Sequence, residues 1–151
     1  MDLTLTVLTQ LSDFQTPFDV DALGFTEGWW DHRVGRARDQ HSDFLSFTLN
    51  GNEVARAEVD RGTINNIYVG LTPAPEIVDV VFFEVRESRR RAGVGRAAIA
   101  LIERRYDGEM LIAFSEEADD FWSGIGWTHY PRADRSPHHR PLFVSNDALR
   151  S

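Results

Sequence analysis

Residues 85 to 96 read Val85-Arg86-Glu87-Ser88-Arg89-Arg90-Arg91-Ala92-Gly93-Val94-Gly95-Arg96, a turn of arginine and glycine set between two regular segments. The segment before it, Ile77 to Val85, is a dense β-branched and aromatic run, long enough to cross a sheet and too apolar for an edge, and so predicts a central strand. After it, Val94, Ala97, Ala98, Leu101 and Ile102 repeat at helical spacing, and Gly108 stands where that helix should stop. A helix N-terminus offers N–H groups without intrahelical acceptors and the positive end of a dipole, so an anion such as pyrophosphate is held there without any side chain. Glycine lets the backbone approach, because a Cβ would keep the anion away. Arg86, Arg89, Arg90, Arg91 and Arg96 stand against Glu87 alone, a local balance of +4 over residues 86–96. That sign suits phosphate; the other reading is a solvated charge run ahead of a helix.

Outward from this turn, the chain alternates strand-like and helix-like segments, with no internal repeat or linker. Leu3 to Leu8 alternates leucine and valine with threonine, the period of a half-buried strand. Residues 11–25 are irregular around Pro17 and Gly24, with room for a short helix, and Trp30, Val34 and Ala37 predict a helical face over Trp29 to Arg38. Phe44 to Leu49 and Glu53 to Val59 flank Asn50-Gly51, a hairpin signal because both residues tolerate positive φ. Met110 to Phe114 reads as a buried strand, Glu116 to Trp122 as a short helix and Leu142 to Val144 as part of a last strand. The order predicts a single α/β domain over residues 1–151, a mixed sheet with helices on both faces.

The chain has 151 residues and no cysteine, which removes disulfides, thiolate metal sites and a cysteine nucleophile together and fits a reducing compartment, with the cytoplasm as the expected location. Met1 to Gln10 lacks a basic leader with an apolar core, and no apolar run approaches the roughly 18 residues that span a bilayer. A formal charge of −8 argues against nucleic acid as the main partner and favours cationic or neutral substrates. All sixteen basic residues are arginine, so lysine Schiff bases and a Walker lysine are excluded.

The turn resembles the acetyl-CoA loop of the GNAT acetyltransferases, whose pattern (Q/R)xxGx(G/A) is filled by Arg90, Gly93 and Gly95. Val85 lies where that family ends its splayed central strand with a valine, although Glu87 replaces the proline common two residues later. The family's next pattern, NxxAxxxYxxxGF, is met in spacing by Ser115, Ala118, Trp122, Gly126 and Trp127, with three chemistries changed. Together the two motifs span residues 77–127, about a third of the chain. The resemblance implies the acyl-CoA N-acyltransferase fold, a mostly antiparallel sheet of about six or seven strands opened in a V after the central strand. A competing match exists, since Gly93-Val94-Gly95-Arg96-Ala97-Ala98 satisfies GxGxxA, the dinucleotide fingerprint, with Glu116 about twenty residues on. Seven residues separate Val85 from Gly93, whereas that fingerprint starts directly off a strand.

What the resemblance implies about chemistry is direct attack of an amine on acetyl-CoA in a ternary complex, without a covalent enzyme intermediate. Phe83, Glu84 and Val85 would line the pantetheine arm, the amides of Arg91, Ala92, Gly93, Val94, Gly95 and Arg96 would hold the pyrophosphate beside Arg90, and Ser115, Ala118 and Trp122 would complete the cosubstrate site. Asp79 lies six residues before Val85, where histone acetyltransferases of the family carry a glutamate base, and 79, 81, 83 and 85 share one strand face. A carboxylate in so apolar a strand acts as a base through a raised pKa; the alternative is a residue that caps a turn or pairs with arginine. Glu84, on the opposite face, is the rival catalytic residue, and Glu116 and Glu117 are candidates for holding a cationic substrate. Trp122 occupies the position of the family's tyrosine acid, and its indole N–H cannot supply a proton at neutral pH, which leaves Ser123, Tyr130 or unaided departure of the thiolate, or else a catalytically silent acyl-CoA-binding module. Trp29, Trp30 and His32 read either as core or as aromatic faces for an amine. His138-His139 lacks a ligand pattern, and no metal is expected. The expected partners are acetyl-CoA and a small amine or peptide amine, without nucleic acid or membrane; a homodimer is permitted, and the acceptor is not named by any motif in residues 11–42 or 128–140.

Overall fold

The computed structural model describes residues 1–31, 34–39, 41–65 and 67–145. Strand β1 (Thr4–Leu8) pairs antiparallel with β2 (Ser42–Leu49), Leu5 opposite Phe47 and Val7 opposite Leu45. Asn50 and Gly51 turn the chain into β3 (Asn52–Gly62) with φ of 52° and 81°, the left-handed pair that an Asn-Gly hairpin requires. Next come β4 (Ile77–Val85), α1 (Val94–Arg105), β5 (Met110–Phe114), α2 (Asp119–Gly124), β6 (Thr128–Tyr130) and β7 (Leu142–Val144). The seven strands lie in the order β1-β2-β3-β4-β5-β7-β6. β4 and β5 are parallel, as a helical crossover demands, while β5–β7 and β6–β7 are antiparallel. The α/β class and the mixed, mostly antiparallel sheet expected from the sequence are thus found.

Helix α1 buries Val94, Ala98, Ile99 and Ile102, and Gly108, at φ 82°, lies three residues beyond its last turn. Full burial of each isoleucine there is worth roughly 1.5–3 kcal/mol. Two helical expectations fail. The described part of Trp29 to Arg38 has no α-helix, only a 3₁₀ turn that begins at Ala37, and residues 11–25 form turns and bends. Gly24 and Gly28 hold φ of 89° and 86°, outside helical space, so Trp30 and Val34 reach the core from a loop. The second helix starts at Asp119 rather than Glu116, because Glu117 takes φ 55°.

The chain divides into two compact units, Met1–Val59 with Phe82–Ile102, and Asp60–Val81 with Glu103–Ser151. The first has a core of Phe18, Trp30, Val34 and Phe44, with Phe25, Trp29 and Phe82 packed on it. The second has a core of Tyr68, Leu71, Ile77, Met110, Ile112, Leu142 and Val144.

Candidate active site

In the first unit, β4 ends at Val85, a 3₁₀ turn follows over Glu87–Arg89, and a tight turn then leads into α1. Arg91 and Gly93 adopt φ of 63° and 84°, and the Ala97 N–H closes the first helical turn on the Gly93 carbonyl at 3.1 Å. The helix itself supplies no acceptor to the amides ahead of that bond, those of Val94 and Gly95 among them. Space around Gly93 is open: a Cβ there would meet only the Met1 methyl at 4.0 Å. The geometry is that of an anion cradle. It does not fit the dinucleotide fingerprint, because two turns separate Gly93 from the strand and the sheet is mostly antiparallel.

The arginine island does more than carry charge. Arg86 donates from Nε to the Glu53 carbonyl and from Nη1 to the Leu23 carbonyl, both at 2.7 Å, and stacks over Phe25. Gly24 passes so close to this side chain that a Cβ would sit 2.7 Å from Arg86 Cγ. Arg90 donates from Nε to the Val85 carbonyl at 3.1 Å and from Nη2 to Glu84 at 3.2 Å.

Glu84 is 6% exposed. Its carboxylate accepts the Thr26 N–H at 2.8 and 3.0 Å, the Thr26 hydroxyl, the Trp30 indole N–H at 2.8 Å and Arg90. Such saturation makes a buried charge tolerable and ties the Thr26–Trp30 loop to the end of β4. Removing the carboxylate strands the buried Trp30 indole N–H and releases Thr26, so Glu84→Ala should lower stability by about 1–3 kcal/mol, read as a drop in thermal midpoint. The same loop lines a cavity of about 350 Å³ with Asp21, Phe25, Thr26, Glu27, Trp30 and Arg56 among its walls. Trp29 and Trp30 pack on Phe82 at 6.0 and 6.2 Å, and His32 lies outside the described residues.

In the second unit, the parallel ladder joins Ile77, Val78 and Asp79 of β4 to Met110, Leu111 and Ile112 of β5 and runs no further, although β4 continues to Val85. Asp79 therefore sits at the last rung. Its Oδ1 is buried without a hydrogen-bond partner, as is Oδ1 of Asp60 on β3. Burial pushes the Asp79 carboxyl up to about 7, the charge of Asp60 adds to the rise, and Arg140 opposes it. The arginine-pairing alternative for Asp79 has no support from hydrogen bonding at this oxygen.

Ser115 is buried; its N–H reaches the Pro141 carbonyl at 2.8 Å and its Oγ accepts the Ala118 N–H at 3.1 Å. That bond fixes the turn opening α2. Trp122 is buried against Trp127, ring centres 4.7 Å apart. Glu116 pairs with Arg140 at 3.6 Å, both half-exposed or more. Glu117, Ser123 and the His138-His139 pair are exposed, while Tyr130 packs against the second core. Among the described residues, no group of three His, Cys, Asp or Glu is arranged to hold a metal, and no helix is long and apolar enough to cross a membrane.

Sequence reasoning missed Asp60, Thr26 and Arg140. Asp60 is legible only once β3 is known to lie beside β4, and Thr26 carries no local signal for a partner 58 residues away.

No protein-family profile and no curated protein matches the chain. Among solved structures, it resembles the Bacillus subtilis N-acetyltransferase YlbP in complex with coenzyme A, at 14% identity and TM-score 0.55 over 76% of this chain and 69% of that one. An acetyltransferase from Thermus thermophilus matches at 18% identity and TM-score 0.53, over 71% of this chain and 65% of that one. AtaT complexed with acetyl-methionyl-tRNAfMet matches at 14% identity and TM-score 0.66 over 98% of this chain and 97% of that one. With the crossover from β4 to β5, the cradle at the head of α1 and these neighbours in agreement, the chain has the GNAT fold of acyl-CoA N-acyltransferases.

Proposed function

We propose that the chain is an N-acetyltransferase that binds acetyl-CoA and passes its acetyl group to a primary amine by direct attack in a ternary complex. The observation that carries this reading is the cradle at the head of α1, with Arg91 and Gly93 in left-handed conformation and open space before the first helical turn. Acetyl-CoA supplies an activated thioester and a pyrophosphate for that cradle. The amides of residues 91–96 hold the pyrophosphate, and Phe83 and Val85 line the arm along the edge of β4 beyond its ladder. Asp79 acts as the general base, taking a proton from the amine. Glu84, its oxygens already occupied, anchors the Thr26–Trp30 loop rather than reacting. Carboxylates and aromatic rings around the cavity of about 350 Å³ suit a cationic acceptor.

A rival reading, a catalytically silent acyl-CoA-binding module, draws on Trp122, which is packed where the family keeps its acid. Trp122→Tyr should cost about 1–3 kcal/mol of stability through lost packing on Trp127, with no gain in turnover, measured by thermal melts and steady-state rates. A second acceptor class is favoured by the match along nearly the whole chain to AtaT, whose structure holds acetyl-methionyl-tRNAfMet; the charge of −8 weighs against so polyanionic a partner. Thiol release from acetyl-CoA, measured across small amines, peptide amines and aminoacyl-tRNA, tests the reading. Release with a small or peptide amine supports it, release with aminoacyl-tRNA alone moves the acceptor to the second class, and acetyl-CoA binding without release on any arm favours the silent module.

A further inference from the structure

A single basic carboxylate would suffice for Asp79 to act as proposed, yet the neighbouring strand carries a second one, next to Arg61, which reaches Glu76 just ahead of β4 at 3.1 Å. Asp60 lies on β3 and Asp79 on the neighbouring β4, and each has an Oδ1 that is shielded from solvent and meets no donor. Carboxylate oxygens buried without donors on adjacent strands cost stability, since each loses its hydration and their charges repel, an effect that the charge of Arg140 opposes at Asp79. A fold under no other constraint would replace one with an amide or an apolar residue. Among the described residues, the charges that act on Asp79 are those of Asp60 on β3 and Arg140 in the segment before β7, and its register partner on β5 is the apolar Ile112. The arginine charge acts against the base and the aspartate charge acts for it.

We propose that Asp60 is a positioning residue for proton transfer: its negative charge, with no donor to neutralise it at the buried oxygen, strengthens Asp79 as a base toward the acceptor ammonium. This rests on the reading of Asp79 as the general base. The proton balance is direct. The ammonium gives one proton to the Asp79 carboxylate, the neutral amine attacks the thioester carbonyl, the C–S bond breaks as the C–N bond forms, and the second amine proton leaves with the thiolate as thiol. Without Asp60, Asp79 releases its proton at lower pH and draws one from an ammonium less readily.

The test is a pH titration of the Asp79 carboxyl by carbon NMR on aspartate-labelled protein, the signal being assigned by its loss in Asp79→Asn. In Asp60→Asn the midpoint should fall by about one unit or more, and the acid limb of kcat/KM should move to lower pH by the same amount. Asp60→Glu, which restores the charge, should return both toward the wild-type position. Thermal stability above pH 7 should be kept or raised in Asp60→Asn, the reverse of what loss of a bracing residue gives. An unchanged midpoint in folded Asp60→Asn overturns the proposal, and so does an Asp79 midpoint in the ordinary carboxylate range in the wild-type protein, a measurement needing no variant at position 60. The NMR reading is independent of activity, so it separates failure of this pairing from failure of the base assignment, which full turnover by Asp79→Asn would reveal.

Discussion

Asp79→Asn should lower turnover at neutral pH by about 10²- to 10⁴-fold, the usual worth of a general base, with acetyl-CoA affinity preserved. The loss should shrink as pH rises, because more of the amine is then already neutral. In the wild-type protein the rate should fall as pH drops through about 7, where burial and Asp60 have moved the carboxyl. Stability gives an independent check with a definite sign. The folded protein keeps a proton on Asp79 up to about 7 that the unfolded chain releases near its ordinary value of 3.8. Between those pH values the folded state binds more protons than the unfolded one, so this group's contribution to stability falls as pH rises. Asparagine has no such dependence, and Asp79→Asn should therefore melt higher than wild type above pH 7 while being slower. A bracing aspartate would behave in the opposite way. Full activity in folded Asp79→Asn would reject the base assignment.

Gly93→Val should abolish measurable acetyl-CoA binding while leaving a folded protein. A Cβ would crowd the anion, and the backbone adds a conformational cost. A Cβ at Gly93 meets nothing closer than 4.0 Å, but φ of 84° is strained for any L-residue and more so for a β-branched one. Relieving that strain, of order 1–3 kcal/mol, rotates the peptide ahead of α1 and turns the amides away from the anion. Helix α1 keeps its buried Val94, Ala98, Ile99 and Ile102, so the core remains to hold the fold. Retained affinity in this variant would place the phosphate elsewhere.

Much of this was legible because the decisive segments carry strong local periods. The bounds of Ile77–Val85, Met110–Phe114 and Leu142–Val144 follow from short buried runs, and the hairpin from Asn50-Gly51. The expected helix over Trp29 to Arg38 shows the limit of such reasoning. Trp30 and Val34 are buried as a helical stripe would have them, but Phe18 and Phe44 bury them from a loop shaped by Gly28. Periodicity reports which residues go inward, not the backbone that takes them there. The cradle was readable for the same local reason, its glycine and helix start being contiguous in sequence. The carboxylates were not. Parity put Asp79 and Glu84 on opposite faces, yet only tertiary structure shows that Glu84 is occupied by Thr26, Trp30 and Arg90, and that Asp60 stands on the strand next to that of Asp79. Likewise, Arg90 was legible as a cation beside the cradle but not as the partner of Glu84.

In the proposed function, the turn from Arg90 to Arg96 receives the pyrophosphate of acetyl-CoA. Calorimetric titration of the wild-type protein with CoA and, in parallel, with NAD decides whether it does. Saturable binding of CoA that weakens with added salt, and none of NAD, is the result required. NAD binding in place of CoA, or no heat with CoA from a folded protein, would contradict it.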